Sequence, residues 1–132
     1  MKIEKFQDIQ AWQEARKLTK VVYVLSNQGK FSRDYGLRDQ IQRASTSIMA
    51  NISEGFDSLS KNEFVRFLTF ARRSASEVQS HLYVAFDQNY ISNAEFEETF
   101  KQAIYTKNLV GGFIRYLVVK QVKPEHRSTV TQ

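Results

Sequence analysis

SKNEFVRFLTFARRSASEVQSHLYVAF, residues 60–86, is the stretch from which the fold can be read. It opens on Ser60-Lys61-Asn62-Glu63, which has capping-box spacing: the Ser hydroxyl can accept from the Glu amide while the Glu carboxylate reaches back. Phe64, Phe67, Leu68, Ala71, Ala75, Val78, Leu82, Ala85 and Phe86 then return every three or four residues. That period predicts one long helix with a single apolar stripe. The same period recurs on both sides of it. Downstream, Asn89-Tyr90-Ile91 breaks the pattern and a second capping box, Ser92-Asn93-Ala94-Glu95, opens another helix. This one carries Phe96, Phe100, Ala103, Ile104, Val110, Ile114, Leu117 and Val118 inward to about Gln121, with Pro124 as its stop.

Upstream, Leu37, Ile41, Ala44, Ile48 and Ile52 define a helix over Leu37–Glu54, ended by Gly55. Before that, Ala11, Trp12, Ala15, Leu18, Val22 and Leu25 define a helix over Ile9–Gln28, with Asp8 to cap it and Gly29 to end it. Residues 30–36 between these two read as a loop. Four amphipathic helices with short connections predict an all-α fold, an antiparallel up-down four-helix bundle. The bundle is expected over residues 1–121, with a polar C-terminal tail over 122–132.

Composition bounds the chemistry. The 132 residues make one domain, 42% apolar and 25% charged, an ordinary globular balance. There is no cysteine, and the two histidines, His81 and His126, lie far apart, so neither a disulfide framework nor a His-rich zinc site is suggested. No apolar run approaches the roughly 18 residues of a membrane span, and the first residues lack the apolar core of a secretory signal. A soluble, cytoplasmic domain is expected.

The net charge of +5 is unevenly placed. Residues 1–98 hold 13 Lys/Arg and 13 Asp/Glu, whereas residues 99–132 hold six cations and the single acid Glu125. Such an end can attract phosphate, or it can simply complement the dipole of a helix C-terminus. Lys101, Arg115, Lys120 and Lys123 are the candidate nucleic-acid contacts.

Two features exceed what a plain bundle needs. On the fourth helix Tyr105, Leu109, Phe113 and Tyr116 cluster opposite the inward stripe, and a helix apolar on both faces is buried on both. Self-association through this face is expected, against the alternative of scattered surface tyrosines. Gly111-Gly112 inside the same helix is either a tolerated weak spot or a place where another backbone comes close. On the second helix Gln40, Arg43, Ser47, Asn51 and Glu54 form a polar row, and Ser74, Glu77 and His81 form another on the third. These rows could line an active site or form a structural network of Asn51, Glu54, Ser74 and Glu77, with Arg43 or Lys107 as the cation. The network is the stronger reading. Ser74, Glu77 and His81 lie a turn apart along one helix, which does not place the His between nucleophile and acid. Glu77-Val-Gln-Ser-His81 has one residue too many for a di-iron Glu-x-x-His motif and has no second copy. No phosphate-cradling glycine motif is present. No catalytic residue, metal or cofactor is therefore expected.

Asp8-Ile9-x-Ala11-Trp12, Tyr35-Gly36-Leu37-x-x-Gln40-Ile41-x-Arg43-Ala44, Ser47-Ile48-x-x-Asn51-Ile52-Ser53-Glu54-Gly55 and Glu63-Phe64-x-x-Phe67-Leu68-x-x-Ala71-x-x-Ser74-Ala75-x-Glu77 carry a further signal. Together they resemble the bacterial four-helix bundle proteins, also called intervening-sequence proteins because some are encoded within insertions in large-subunit ribosomal RNA genes. The resemblance covers about residues 6–120. It implies a protomer that assembles into a homo-oligomeric ring, with a pentamer expected. A distant relation to accessory proteins of diversity-generating retroelements implies basic ring surfaces that bind nucleic acid. The chain departs from the family pattern at Ile48-Met49, where many members have Ile-Pro, and at Ser53, where Ala is common. The resemblance supplies no catalytic residues.

The expected function is thus a non-enzymatic, homo-oligomeric bundle that binds RNA or DNA through a basic surface. The alternative is a protein–protein scaffold or adaptor with no nucleic-acid role. An enzyme would require Arg43, Glu54, Glu77 and His81 to converge in a cleft.

Overall fold

The computed structural model describes residues 2–127, with side chains as far as Val119. Four helices are present, α1 (Gln10–Ser26), α2 (Tyr35–Phe56), α3 (Lys61–Asp87) and α4 (Asn93–Arg127), with 3-10 turns at Phe6–Asp8 and Gly29–Arg33. There is no strand among the described residues. Each helix packs on its neighbours in sequence, and α4 closes against α1.

Cross-helix contacts fix the directions. Thr19 meets the Ser45 carbonyl and Gln42 meets Ser26 between α1 and α2. Ser47 meets Ser74 between α2 and α3, and Phe64 meets Phe113 between α3 and α4, with Tyr83 against Phe100 at the other end. Gln102 meets Glu14 between α4 and α1. In every pair with two such contacts the residue numbers run in opposite senses, as connections of a few residues require of antiparallel neighbours. The core is aliphatic at its centre: Leu18, Val22, Ile41, Ile48, Ile52, Leu68, Val78, Leu82 and Val110 are fully buried. The inward stripes expected for α1, α2 and α3 are buried or half-buried throughout.

The helix ends show which local groups win. Asp8 does not cap α1. Its carboxylate accepts from the amides of Glu4 and Lys5 at 3.0 and 3.3 Å, closing the Phe6–Asp8 turn. Ile9 takes the N-cap position with no side-chain bond. At the far end α1 stops at Ser26, ahead of Gly29, which has φ +51° and begins the second 3-10 turn. Asp34 caps α2 instead, accepting from the Leu37 amide at 3.1 Å, so the helix starts at Tyr35. The hydroxyl of Tyr90 donates to the other oxygen of Asp34 at 3.0 Å, and its ring stacks on buried Phe31. One carboxylate thereby joins the α1–α2 connection to the α3–α4 turn. This bond holds the Tyr90 phenol above its ordinary pKa, because ionising it would remove the donor beside a carboxylate.

Only half of the first capping box forms: the Glu63 amide donates to Ser60, while the Glu63 carboxylate turns to Arg66. The second box is complete, with Ser92 and Glu95 bonding reciprocally. Asn89, at φ 60°, ends α3 in the left-handed region, and the Tyr90 amide reaches back to the Ala85 carbonyl. α4 runs past Pro124 to Arg127. Pro124 therefore does not act as the stop that the sequence predicts.

Gly55 is not a stop. It is buried inside α2, and a Cβ there would lie 2.8 Å from Cδ1 of Phe64 and 2.9 Å from Cβ of Phe67. The glycine lets α3 approach where no methyl fits.

Glu14 is buried on α1, where the sequence reading had placed no charged group. Its carboxylate accepts from Gln102 at 2.9 Å and from Lys17 at 3.0 Å. The Gln102 bond, with help from Lys17, outweighs burial and holds this carboxyl below the usual carboxylate range.

Three stability outcomes are expected. Gly55→Ala gains up to about 1 kcal/mol of helix propensity but meets overpacking of about 1–3 kcal/mol, so it should melt below wild type. Gly112→Ala meets nothing closer than the Arg115 guanidinium at 3.7 Å and should melt at or above it. Glu14→Ala should cost about 1–3 kcal/mol at neutral pH, because the Gln102 and Lys17 bonds to the carboxylate are lost, while Gln102 keeps its 3.0 Å bond to the carbonyl of residue 14. A depressed carboxyl pKa stabilises above its unfolded value and loses that effect as pH falls through the folded value. The gap between urea melts of wild type and Glu14→Ala should therefore narrow as pH falls below the ordinary Glu value of about 4.3.

Candidate nucleic-acid interface

The expected polar network forms in part. Ser74 on α3 donates to Ser47 Oγ on α2 at 2.9 Å, and Asn51 Nδ2 donates to Ser47 Oγ at 3.0 Å and to the Ser47 carbonyl at 2.9 Å. Ser47, Asn51 and Ser74 are thus the members brought together. Arg43, Glu54 and Glu77 stand exposed on the protomer, Glu77 with 55% of its side chain in solvent. At about 100° per residue, Ser47 and Asn51 border the apolar stripe of α2, whereas Arg43 and Glu54 fall one step further round. Glu77 falls further still from the stripe of α3. Lys107, the other candidate cation, has no carboxylate within 4.0 Å. The nearest ionisable group to Glu77 is His81 on its own helix, whose buried Nε2 lies 3.6 Å away and makes no hydrogen bond.

The chemistry of these rows is correspondingly limited. Ser74 donates to another serine, and no Ser–His–acid relay is assembled. Among the described residues no group of three His, Asp or Glu side chains is placed to hold a metal. No helix among them is long and apolar enough to cross a membrane.

On α4 the inward positions are Thr99, Ala103, Thr106, Val110 and Leu117. Thr106 satisfies its hydroxyl on the Gln102 carbonyl. Ile104 and Val118, expected inward, are instead 39% and 42% exposed. The two threonines occupy the facing positions, and a pattern counted on hydrophobic residues alone drifts round the helix. Of the outward stripe, Tyr105 and Tyr116 are exposed at 44% and 56%. Leu109 and Phe113 are half-buried within the protomer. They border a cavity of about 190 Å³ with Ile3, Ile9 and Ala11, and Phe113 sets its edge to Phe64 at 5.3 Å. The turn preceding α1 supplies this cover, which helix periodicity does not foresee. Tyr105 accepts from Gln10 Nε2 at 3.0 Å on the same side.

Lys101 and Arg115 share the outward face of α4 with Tyr105 and Tyr116 and are exposed. The side chains of Lys120 and Lys123 lie outside the described residues. Arg115 folds back over the two glycines, with its terminal nitrogens 3.7 Å from the points where Cβ atoms of Gly111 and Gly112 would stand. Arg72 of α3 brings Nε to 3.9 Å from the same point on Gly111. Gly111-Gly112 thus opens a notch flanked by two guanidinium groups, Arg115 at 3.7 Å and Arg72 at 3.9 Å from the point where a Cβ of Gly111 would stand. Among the described residues Lys17, Arg38 and Arg66 are the Lys and Arg side chains in ion pairs, so Arg72 and Arg115 have no carboxylate between them. Like charges that converge without an acid select for an anion. Arg72 went unnoticed in the sequence because its partner lies on another helix.

A second basic region was masked by the zero net charge of the first 98 residues. Trp12, Arg16, Lys17, Thr19, Lys20 and Tyr23 of α1, with Met49 of α2, line an open groove of about 660 Å³. Trp12 is half-buried, its ring edge-on to Phe6 at 5.2 Å, and the Arg16 guanidinium lies 5.9 Å from its ring centre. The signal was available as Trp12, Arg16, Thr19 and Tyr23, spaced to share one face.

A family model described as 23S rRNA-intervening sequence protein matches residues 7–112. The chain is similar in structure to a protein of unknown function from the S23 ribosomal protein family of Bacteroides thetaiotaomicron. The TM-score is 0.73 at 21% identity, covering 80% of this chain and 98% of the other. At that identity the likeness speaks to the fold. No curated protein matches. With its polar α2–α3 signature and helical architecture in place, the chain belongs to the 23S rRNA-intervening sequence protein family.

Proposed function

We propose that the chain is a non-enzymatic, self-associating cytoplasmic bundle that binds RNA or DNA through the basic side of α3 and α4. The observation that carries this reading is that Arg72 and Arg115 flank the Gly111 notch and neither is in an ion pair with a described carboxylate. Guanidinium groups suit phosphate, because one planar fork can donate two parallel N–H bonds to two oxygens of the same group. Lys101 extends the same face, and Lys120 and Lys123 continue the basic run of the sequence.

Self-association rests on the other edge of the outward face. Tyr105, Tyr116 and Val119 expose apolar surface there, beside half-buried Leu109 and Phe113. Closing such contacts round a ring satisfies every copy, and a pentamer is the assembly the family resemblance implies. Repetition would also multiply the +5 of one chain and the field that attracts a polyanion. A scaffold that binds another protein is favoured instead by the exposed Ile104 and Val118, which lie outside that face.

Fluorescence anisotropy with labelled RNA and DNA tests the binding. Affinity should be measurable at about 50 mM salt and fall steeply by about 200 mM. The double change Arg72→Glu and Arg115→Glu should weaken it at least about tenfold and flatten its salt dependence. No binding at the lower salt would overturn the reading. For assembly, light scattering should give a multiple of 15.4 kDa for wild type. Tyr105→Glu with Val119→Glu, both at exposed positions, should lower that mass while circular dichroism still reports helix. A wild type with the mass of one chain would remove the ring.

A further inference from the structure

We propose that the α1 groove of Trp12, Arg16, Lys20 and Tyr23 is a stacking site for unpaired bases of a single-stranded nucleic acid. This rests on the nucleic-acid reading above and assigns it a second surface with a different task. The Arg72–Arg115 notch offers charge alone and suits any phosphate backbone. The α1 groove couples charge to flat apolar walls.

Its construction fits that purpose. Phe6 packs edge-on against Trp12 and fixes the indole from one side, leaving the ring to contribute to the groove wall. Tyr23 lies three turns along the same face, and Met49 adds a soft apolar surface from α2. A wall of this kind offers little to a double helix, whose bases are already stacked on each other. A single strand presents free base faces, and stacking on an aromatic tolerates any base.

The cations fit the same occupant. Lys17 is committed to Glu14 at 3.0 Å, whereas Arg16 and Lys20 have no carboxylate within 4.0 Å. What holds Arg16 is its contact with the indole face at 5.9 Å. An exposed contact of that kind is weaker than base stacking, so a base can take the place of the guanidinium or lie against its plane. Arg16 is then released toward the adjoining phosphate. An apolar protein segment would leave both cations without partners, which is why charge complementarity favours the strand.

Trp12 is the one tryptophan in the chain, so its emission reports on the groove directly. Full-length protein should be titrated with an unlabelled oligouridylate of about 12 nucleotides, and with an RNA duplex of the same length. Saturable quenching by the single strand is expected, with the duplex at least about tenfold weaker at this site. Arg16→Glu with Lys20→Glu, both exposed, should weaken the quenching at least about tenfold, and Tyr23→Ala should weaken it about fivefold or more. Arg72→Glu with Arg115→Glu should leave the quenching at saturation intact. Anisotropy that rises without any change in Trp12 emission would overturn this site and leave the proposed function standing. Absence of binding in both measurements would overturn both. Equal quenching by duplex and single strand would reduce the groove to another phosphate contact and overturn the stacking assignment. Emission that shifts with protein concentration and ignores RNA would assign the groove to a second copy of the chain.

Discussion

The close approach of α2 and α3 at Gly55 governs where the rest of the molecule sits. A side chain there would strike Phe64 and Phe67, so the glycine sets the separation of the two helices at one end of their seam. Two turns further along, that separation places Ser74 within hydrogen-bonding distance of Ser47. The hydroxyls then find each other and Asn51, and a small hydrogen-bonded cluster is carried beside the core. The α2–α3 pair is also the most extensive helix contact in the protein. The other two helices are laid against a hairpin whose spacing is already decided.

Much of this was legible in the sequence, and the exceptions have physical causes. The number of helices and the inward stripes of α1, α2 and α3 follow from periodicity, because each must bury one face. Helix ends were less legible because they depend on competition between neighbouring donors and acceptors. Asp8 and Asp34 look alike in sequence, yet one closes a turn and the other caps a helix. Gly55 looks like a terminator because a glycine after a helical run usually is one; its role depends on two phenylalanines beyond the next loop.

The surfaces were the least legible part. Counting charge by segments directed attention to the C-terminal quarter and hid Arg16 and Lys20, whose charges are cancelled arithmetically by acids lying elsewhere. Arg115 was visible as a basic residue; that Arg72 stands over the same glycine was not. The outward stripe of α4 was visible too, but the turn before α1 covers half of it. In each case the missing information was which side chain arrives from another element.

The seam between α4 and α1 has a bearing on the order of folding. Only a four-residue connection separates α2 from α3, so that hairpin closes at small entropic cost. The α4–α1 seam joins residues 88 positions apart, such as Gln102 and Glu14, and its contacts gain nothing until the intervening chain is in place. By that measure the seam is expected to zip last and open first in local unfolding, with α1, packed less extensively on α2 than α4 is on α3, as the element that moves. Amide exchange along α1 would then run ahead of exchange along α3. The carboxylate buried in that seam makes α1 a clasp whose hold depends on acidity.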